Sequence, residues 1–290
     1  VAQAPQTGSG SRYLIAEDGV ILMKVGVTVR NMGPQSRRDM LRVCAEQADI
    51  LGFESLWITD HIAIPPDDAE GSGGRYTDPL TTLAWLGGVT RNIRLGVGAL
   101  ILPYRPTLPT AKAIATAHEL TGERLLIGAG LGWMGAEFRA LGVERRRRGA
   151  ITDEQLSFLT RCFAEPVVEL NGQPFIFDPR PSQPPIYVGG RAPHALRRAL
   201  RFNFGWLPMA KDAESIRDDL TLFKQLAAES GQTPGPVTAF SALPLSDRSR
   251  ARDELEAWRM LGIERLVCAI RYEDSSGYRQ QLDRLMALLT

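Results

Sequence analysis

Several residues with chemical potential fall where runs of β-forming residues end. The first group is Thr59-Asp60-His61. An imidazole titrates near neutral pH and serves as a general acid or base, so Asp60 and His61 are candidate catalytic residues. The dipeptide alone reads equally well as a loop turn with a satisfied histidine. The second group is Gly96-Val97-Gly98-Ala99-Leu100, where two glycines interrupt an apolar run. Glycine weakens a strand by about 0.5–1 kcal/mol relative to alanine. A ligand approaching the backbone, a bulge, or tight packing would account for it. Third comes Gly128-Ala129-Gly130-Leu131-Gly132-Trp133, a turn whose free N–H groups suit an anion or a flat ring. Fourth is Val188-Gly189-Gly190-Arg191-Ala192-Pro193. Here a glycine pair before a proline-led helix would let a phosphate reach helix N–H groups, with Arg191 adding charge. Four arginines at 145–148 are either a solvated face or, with Arg148 nearest the next helix, a contact for an anionic ligand.

These groups need a scaffold that gathers loop ends on one face. Eight short apolar runs, at 25–29, 55–59, 93–100, 125–129, 186–188, 205–209, 237–243 and 265–270, alternate with amphipathic stretches. Near-continuous apolarity is expected of parallel strands buried on both faces. Leu41, Cys44, Ala48 and Leu51 recur at helical spacing, with Gly52 at the stop. Further helices are expected at 107–120, 212–229 (with Asp212 as N-cap), 248–261 and 278–289. Eight β–α pairs in order predict an α/β fold, a (β/α)8 TIM barrel. The alternative, an open Rossmann-like sheet, lacks a GxGxxG between an early strand and its helix. Asn171-Gly172 between two β-prone runs marks a hairpin, inserted between the fourth helix and the fifth strand. The division is then a flexible, functionless lead-in over 1–22 and one barrel domain over 23–290.

Composition narrows the function classes. The chain has 290 residues and a net charge of +1, from 34 basic and 33 acidic residues, which gives no support to nucleic-acid binding. Cys44, Cys162 and Cys268 have no metal or CxxC spacing and read as core residues. No metal site is expected. No run reaches membrane-spanning length and the start has no signal-peptide pattern, so the expected location is cytoplasmic.

Taken in order, Gly52-Phe53-Glu54-Ser55-Leu56-Trp57-Ile58-Thr59-Asp60-His61, Arg94-Leu95-Gly96-Val97-Gly98, Leu126-Ile127-Gly128-Ala129-Gly130-Leu131-Gly132-Trp133 and Pro185-Ile186-Tyr187-Val188-Gly189-Gly190 resemble the luciferase-like monooxygenase family, including its branch that uses the deazaflavin coenzyme F420. The resemblance covers about residue 23 to the end. It implies that Asp60 and His61 lie beside the reactive ring of a cofactor. It also implies that Gly98-Ala99 is a non-prolyl cis peptide backing that ring, followed by Leu100. The turn from Gly130 through Leu131 and Gly132 to Trp133 would lie near the ring and its ribityl chain, and Gly189, Gly190 and Arg191 would hold the phosphate. Two positions depart from the pattern. Some deazaflavin dehydrogenases carry a catalytic carboxylate where this chain has Trp133, and Asn203-Phe204-Gly205-Trp206 stands where the family often has Asp-Gly-Trp. The expected activity is F420-dependent hydride transfer to or from a small organic substrate. The alternatives are an FMN-dependent monooxygenase fed by a separate reductase, and a non-catalytic flavin-binding barrel. Trp57, Leu100, Leu102 and Trp133 hint at an apolar substrate, and a homodimer is left open.

Overall fold

The computed structural model describes residues 13–15 and 21–289. All eight expected strands form: β1 (Ile21–Thr28), β2 (Ser55–Ile58), β3 (Arg94–Ile101), β4 (Leu125–Gly130), β5 (Ile186–Gly189), β6 (Gly205–Leu207), β7 (Thr238–Ser241) and β8 (Arg265–Cys268). They are parallel, in the order β7-β8-β1-β2-β3-β4-β5-β6. Parallel bridges Trp206–Val237 and Met209–Phe240 join β6 to β7 and close the ring. Each strand leads into a helix: α1 (Arg38–Ile50), α2 (Pro79–Val89), α3 (Thr107–Leu120), α4 (Arg148–Ala164), α5 (His194–Phe202), α6 (Arg217–Glu229), α7 (Arg248–Met260) and α8 (Ser275–Leu289). The fold is therefore the expected α/β barrel. Gly52 ends α1 with φ 78°, as a left-handed stop should.

The hairpin also forms, Val167–Leu170 against Gln173–Ile176, between α4 and β5. Asn171 and Gly172 both have positive φ, which the two-residue turn requires. One expectation is corrected. Asp212 accepts the Ser215 N–H at 2.9 Å, but the N-cap of the 3-10 turn Glu214–Ile216 is Ala213, and α6 proper starts at Arg217. Within the 1–22 stretch, Tyr13–Ile15 pairs antiparallel with β1, which itself begins at Ile21. The remaining residues of that stretch lie outside the described ones.

Two layers of core result. Between strands and helices lie Val25, Val27, Leu56, Leu83, Leu95, Ile114 and many others, including the buried, unpaired Cys44, Cys162 and Cys268. Inside the barrel, Trp57, Leu126, Tyr187, Leu207, Phe240 and Val267 pack together. The glycines of β3 make this interior possible. A Cβ on Gly96 would come within 2.3 Å of the Trp57 ring, and one on Gly98 within 2.3 Å of Phe240. Of the readings open for these glycines, tight packing of barrel aromatics accounts for the missing side chains. Among the described residues, no helix is long and apolar enough to cross a membrane.

Below this interior, at the strand starts, Arg265 is fully buried and makes a two-pronged contact with Glu54 at 2.7 and 2.8 Å. It also donates to the hydroxyls of Tyr187 and Thr238. Tyr187 passes on a bond to Glu264, which Lys24 neutralises at 2.6 Å. Conserving charge balance inside an apolar barrel requires such a closed set, since an unpaired buried ion is costly.

A second buried titratable group sits in α3. Burial pushes the His118 imidazole down from 6.5 to about 4, and its Nδ1 accepts the Leu125 N–H at 3.2 Å. The folded protein thus keeps His118 neutral. The unfolded chain binds a proton as pH falls below about 6.5, whereas the fold does not until about 4. Stability is expected to fall across that window, by up to about 1.4 kcal/mol per pH unit from this group, and to level off below it. Urea unfolding at several pH values should show a shallower slope in His118→Gln. An unchanged slope would place the titration elsewhere.

Candidate active site at the C-terminal end of the barrel

Function in a closed parallel barrel gathers where strands end and βα loops begin. The end of β2 is clasped first. Asn31, just past β1, accepts the Thr59 N–H at 3.0 Å and donates to the Thr59 carbonyl at 2.9 Å. This extends the pairing of β1 and β2 by a side chain and fixes where residues 60 and 61 leave the strand.

From there the two residues diverge. Asp60 is enclosed, and its carboxylate receives Arg105 Nη1 and Nη2 at 2.6 and 2.9 Å and the Ile101 N–H at 2.8 Å. Arg105 continues to Asp78, the cap of α2, at 3.1 Å. These contacts give Asp60 a structural role at the mouth of the barrel. Its carboxylate ties together the ends of β2 and β3, Oδ2 accepting two bonds and Oδ1 one.

His61 keeps a partly exposed ring. Its Nδ1 lies 3.0 Å from Glu137 Oε2. The Tyr76 ring stands 4.9 Å away by centroid and the Trp133 ring 6.0 Å, edge to face. Glu137 sits on a short helix, Gly135–Ala140, that follows the glycine turn. Its side chain is wholly enclosed. Burial raises its pKa, but N–H groups of Ile62 and Ala63 at 2.6 and 3.1 Å, the Tyr104 hydroxyl at 2.8 Å, and His61 outweigh that, and the net direction is downward. Glu137 is thus an ionised acceptor. Tyr104 moves the opposite way: burial and the adjacent carboxylate raise its pKa, so it remains a donor.

Beside this cluster is a floor of small residues on three neighbouring strands. The Gly98-Ala99 peptide is cis, and the β3–β4 register shifts between Val97 and Leu100. The Ala99 methyl, partly exposed, would lie 2.9 Å from a Cβ on Gly130 and 3.4 Å from one on Gly189. Larger residues at these points would crowd the surface. Leu100 itself is fully buried in the helix–sheet core, so its side chain is not part of the floor. The same correction applies to Trp57 and Leu102, both fully buried. Of the four apolar residues expected to face a substrate, only Trp133 is exposed, at 64%. Gly132, with φ 78°, makes the turn that presents it, and Leu131 is half-buried.

The β5 loop provides the other edge. Gly190 is exposed with φ 130°, its carbonyl accepts Trp206 Nε1 at 3.0 Å, and a Cβ there would approach only Ala195. Arg191 is exposed just before α5. Positive φ makes any side chain at Gly190 strained, so substitutions there report on the fold as well as on binding. Arginines 145–147 form an exposed 3-10 turn and the half-exposed Arg148 opens α4. Asn203, at the second departure from the family pattern, ends α5 in the left-handed region with φ 54°, a structural task asparagine performs well.

Glu137, Tyr104, Tyr76, Arg105 and Asn31 escaped the sequence reading. Tyr104 and Arg105 directly follow β3, so their place in a βα loop was a usable signal. Glu137 had none, because it resembles any polar residue of an amphipathic turn.

Comparison with known proteins supports the fold and the family. The luciferase-like monooxygenase family profile matches residues 20–287. The F420-dependent hydroxymycolic acid dehydrogenase of Mycobacterium tuberculosis is 28% identical over 247 residues, covering 81% of this chain and 67% of that protein. Two solved structures share the fold. The monooxygenase RslO1 from Streptomyces bottropensis has a TM-score of 0.76 at 20% identity, covering 91% of this chain and 98% of its own. The oxygenating constituent of 3,6-diketocamphane monooxygenase from Pseudomonas putida, in complex with FMN, has a TM-score of 0.73 at 15% identity, covering 91% and 97%. With the profile spanning nearly the whole barrel, this chain belongs to the luciferase-like monooxygenase family and is an oxidoreductase of that type.

Proposed function

We propose that the protein binds an F420-type deazaflavin at this mouth and uses it to exchange a hydride with a small organic substrate, with His61 transferring the accompanying proton. The observation that carries the reading is His61 held by the ionised Glu137 beside the exposed Trp133. The residues fit such a group. The floor of Ala99, Gly130 and Gly189 carries no side chain larger than a methyl that would obstruct a flat ring, and a Cβ on Gly190 would meet only Ala195, at 3.4 Å. Gly189, Gly190 and Arg191 would hold the phosphate ahead of α5. Trp133 offers an apolar face to the substrate. When bound, the deazaflavin supplies hydride donation or acceptance at a ring carbon; the barrel supplies binding, orientation and the proton route.

The preference for deazaflavin over FMN follows from charge. Both have one phosphate, but the deazaflavin carries further carboxylates on a longer tail. Arg145, Arg146, Arg147 and Arg191 are exposed and Arg148 is half-exposed, which makes them available to such a tail. The FMN-dependent monooxygenase and the non-catalytic carrier are the competing outcomes. Titrating both oxidised cofactors into the purified protein, followed by fluorescence, is expected to give the tighter constant for F420. Changing Arg145 and Arg146 together to alanine should weaken F420 binding by up to about tenfold at low salt and little at high salt, because exposed charges are screened. Tight FMN binding with no detectable F420 binding would overturn the assignment. Binding of either without turnover of any alcohol, aldehyde or enone panel would favour a carrier.

A further inference from the structure

The contacts of Glu137 lead beyond its being near His61. Its two oxygens divide their work. Oε1 receives the Ile62 and Ala63 N–H groups, and Oε2 receives the Tyr104 hydroxyl and faces His61 Nδ1. Three hydrogen-bond donors, the Ile62 and Ala63 N–H groups and the Tyr104 hydroxyl, surround this enclosed carboxylate and hold it as an acceptor, in line with its lowered pKa. An acceptor-only oxygen 3.0 Å from Nδ1 requires that Nδ1 carry the hydrogen. In the neutral ring Nε2 is then a bare acceptor, and among the described residues no protein group bonds to it.

We infer that Glu137 is a positioning residue that locks His61 in the Nδ1–H tautomer, so that its Nε2 lone pair is presented to the reacting substrate. This rests on His61 being the proton-transferring residue of the reading above. The lock has two parts. Oε2 selects the tautomer, and Oε1 holds the backbone just after His61, so that the ring cannot withdraw with its loop. Tyr104 completes the shell and keeps Oε2 aimed. A proton taken up at Nε2 yields an imidazolium whose other N–H already points at a carboxylate, which stabilises the cation as it forms. Glu137 acts through His61 and touches no substrate itself.

The protein carries its own reference. It has three histidines, His61, His118 and His194. His118 Nδ1 accepts the Leu125 N–H, so His118 must hold its hydrogen on Nε2, the opposite tautomer. Nitrogen NMR of isotope-labelled histidine side chains in the cofactor-free protein, at mildly alkaline pH, should therefore show His61 protonated at Nδ1 and His118 at Nε2. Glu137→Gln provides the decisive change. Its amide oxygen can still accept from Ile62 and Ala63, which leaves the NH2 facing Nδ1 as a donor. The His61 tautomer should then flip to Nε2–H while His118 stays as it was. Because a wrong tautomer costs a general base about 10²–10⁴-fold, kcat should fall about 10²-fold or more with KM within about twofold. Tyr104→Phe should keep the tautomer and lose far less. Wild-type His61 protonated at Nε2, or an unflipped tautomer in folded Glu137→Gln, would overturn the inference. His61→Ala reports on the underlying reading separately: full turnover there would refute the proton-transfer role, even with the tautomer switch observed.

Discussion

Replacing His61 with alanine is expected to lower turnover by about 10²–10⁴-fold, the usual worth of a positioned general acid or base, without unfolding the barrel. The reason lies in what His61 does and does not support. Its ring makes one hydrogen bond, to Glu137, and two aromatic contacts, to Tyr76 and Trp133. The loop around it is held by other groups, namely Asn31 on Thr59 and Glu137 on Ile62 and Ala63. Alanine therefore removes the titrating nitrogen and leaves the anchors. Cofactor affinity should change much less than kcat, because the phosphate and ring contacts proposed above are on β3, β4 and β5. Steady-state kinetics with F420 and a reactive substrate, alongside cofactor titration and circular dichroism, make the comparison. A well-folded variant with unaltered kcat would remove His61 from the chemistry.

Arg265→Met is expected to cost about 3–5 kcal/mol of stability, the range for breaking a buried ion pair by removing one partner. The substitution strands Glu54, whose burial raises its pKa but which is held ionised by Arg265 foremost, with help from Ser55 and Arg94. It also leaves the hydroxyls of Tyr187 and Thr238 without their guanidinium donor. Because the folded pKa of Glu54 lies below its ordinary 4.5, its stabilising contribution is full above that pH and is lost as pH falls through the lower, folded value. The double change Arg265→Met with Glu54→Leu should recover part of the loss, since apolar groups of similar volume satisfy each other in such a place. Urea unfolding of both variants tests this. Equal stability in the double and single variants would mean that the pair is not what the barrel floor depends on. A cofactor-independent loss is expected, because the cluster is at the end of the barrel opposite the mouth.

The barrel was legible because each strand is buried on both faces, so burial appears in the chain as an uninterrupted apolar run without the alternation of a half-exposed sheet. Asn171-Gly172 announced the hairpin through local backbone preference alone. Gly96 and Gly98 were legible as anomalies but not as answers, because what fills the space beside them, Trp57 and Phe240, comes from other strands. Likewise Leu100 and Leu102 read as candidates for a ligand face, yet the direction each points depends on the irregular register beyond Val97.

The amino-acid sequence by itself determined the order of strands and helices, the place of His61 at a strand end, the cis-bearing Gly98-Ala99 step by resemblance, and the glycine-rich edges of the mouth. These are properties of neighbours along the chain, and local sterics and hydrophobic patterning express them directly. Only the tertiary structure decided which of Asp60 and His61 faces the mouth. Both residues lie past the end of β2, where strand alternation no longer dictates direction, so their partners in space decide it. Asp60 met Arg105, 45 residues on, and His61 met Glu137, 76 residues on. A carboxylate is stabilised as an ion by whichever donors closure of the barrel brings to it, and those donors come from separate loops that no local pattern links.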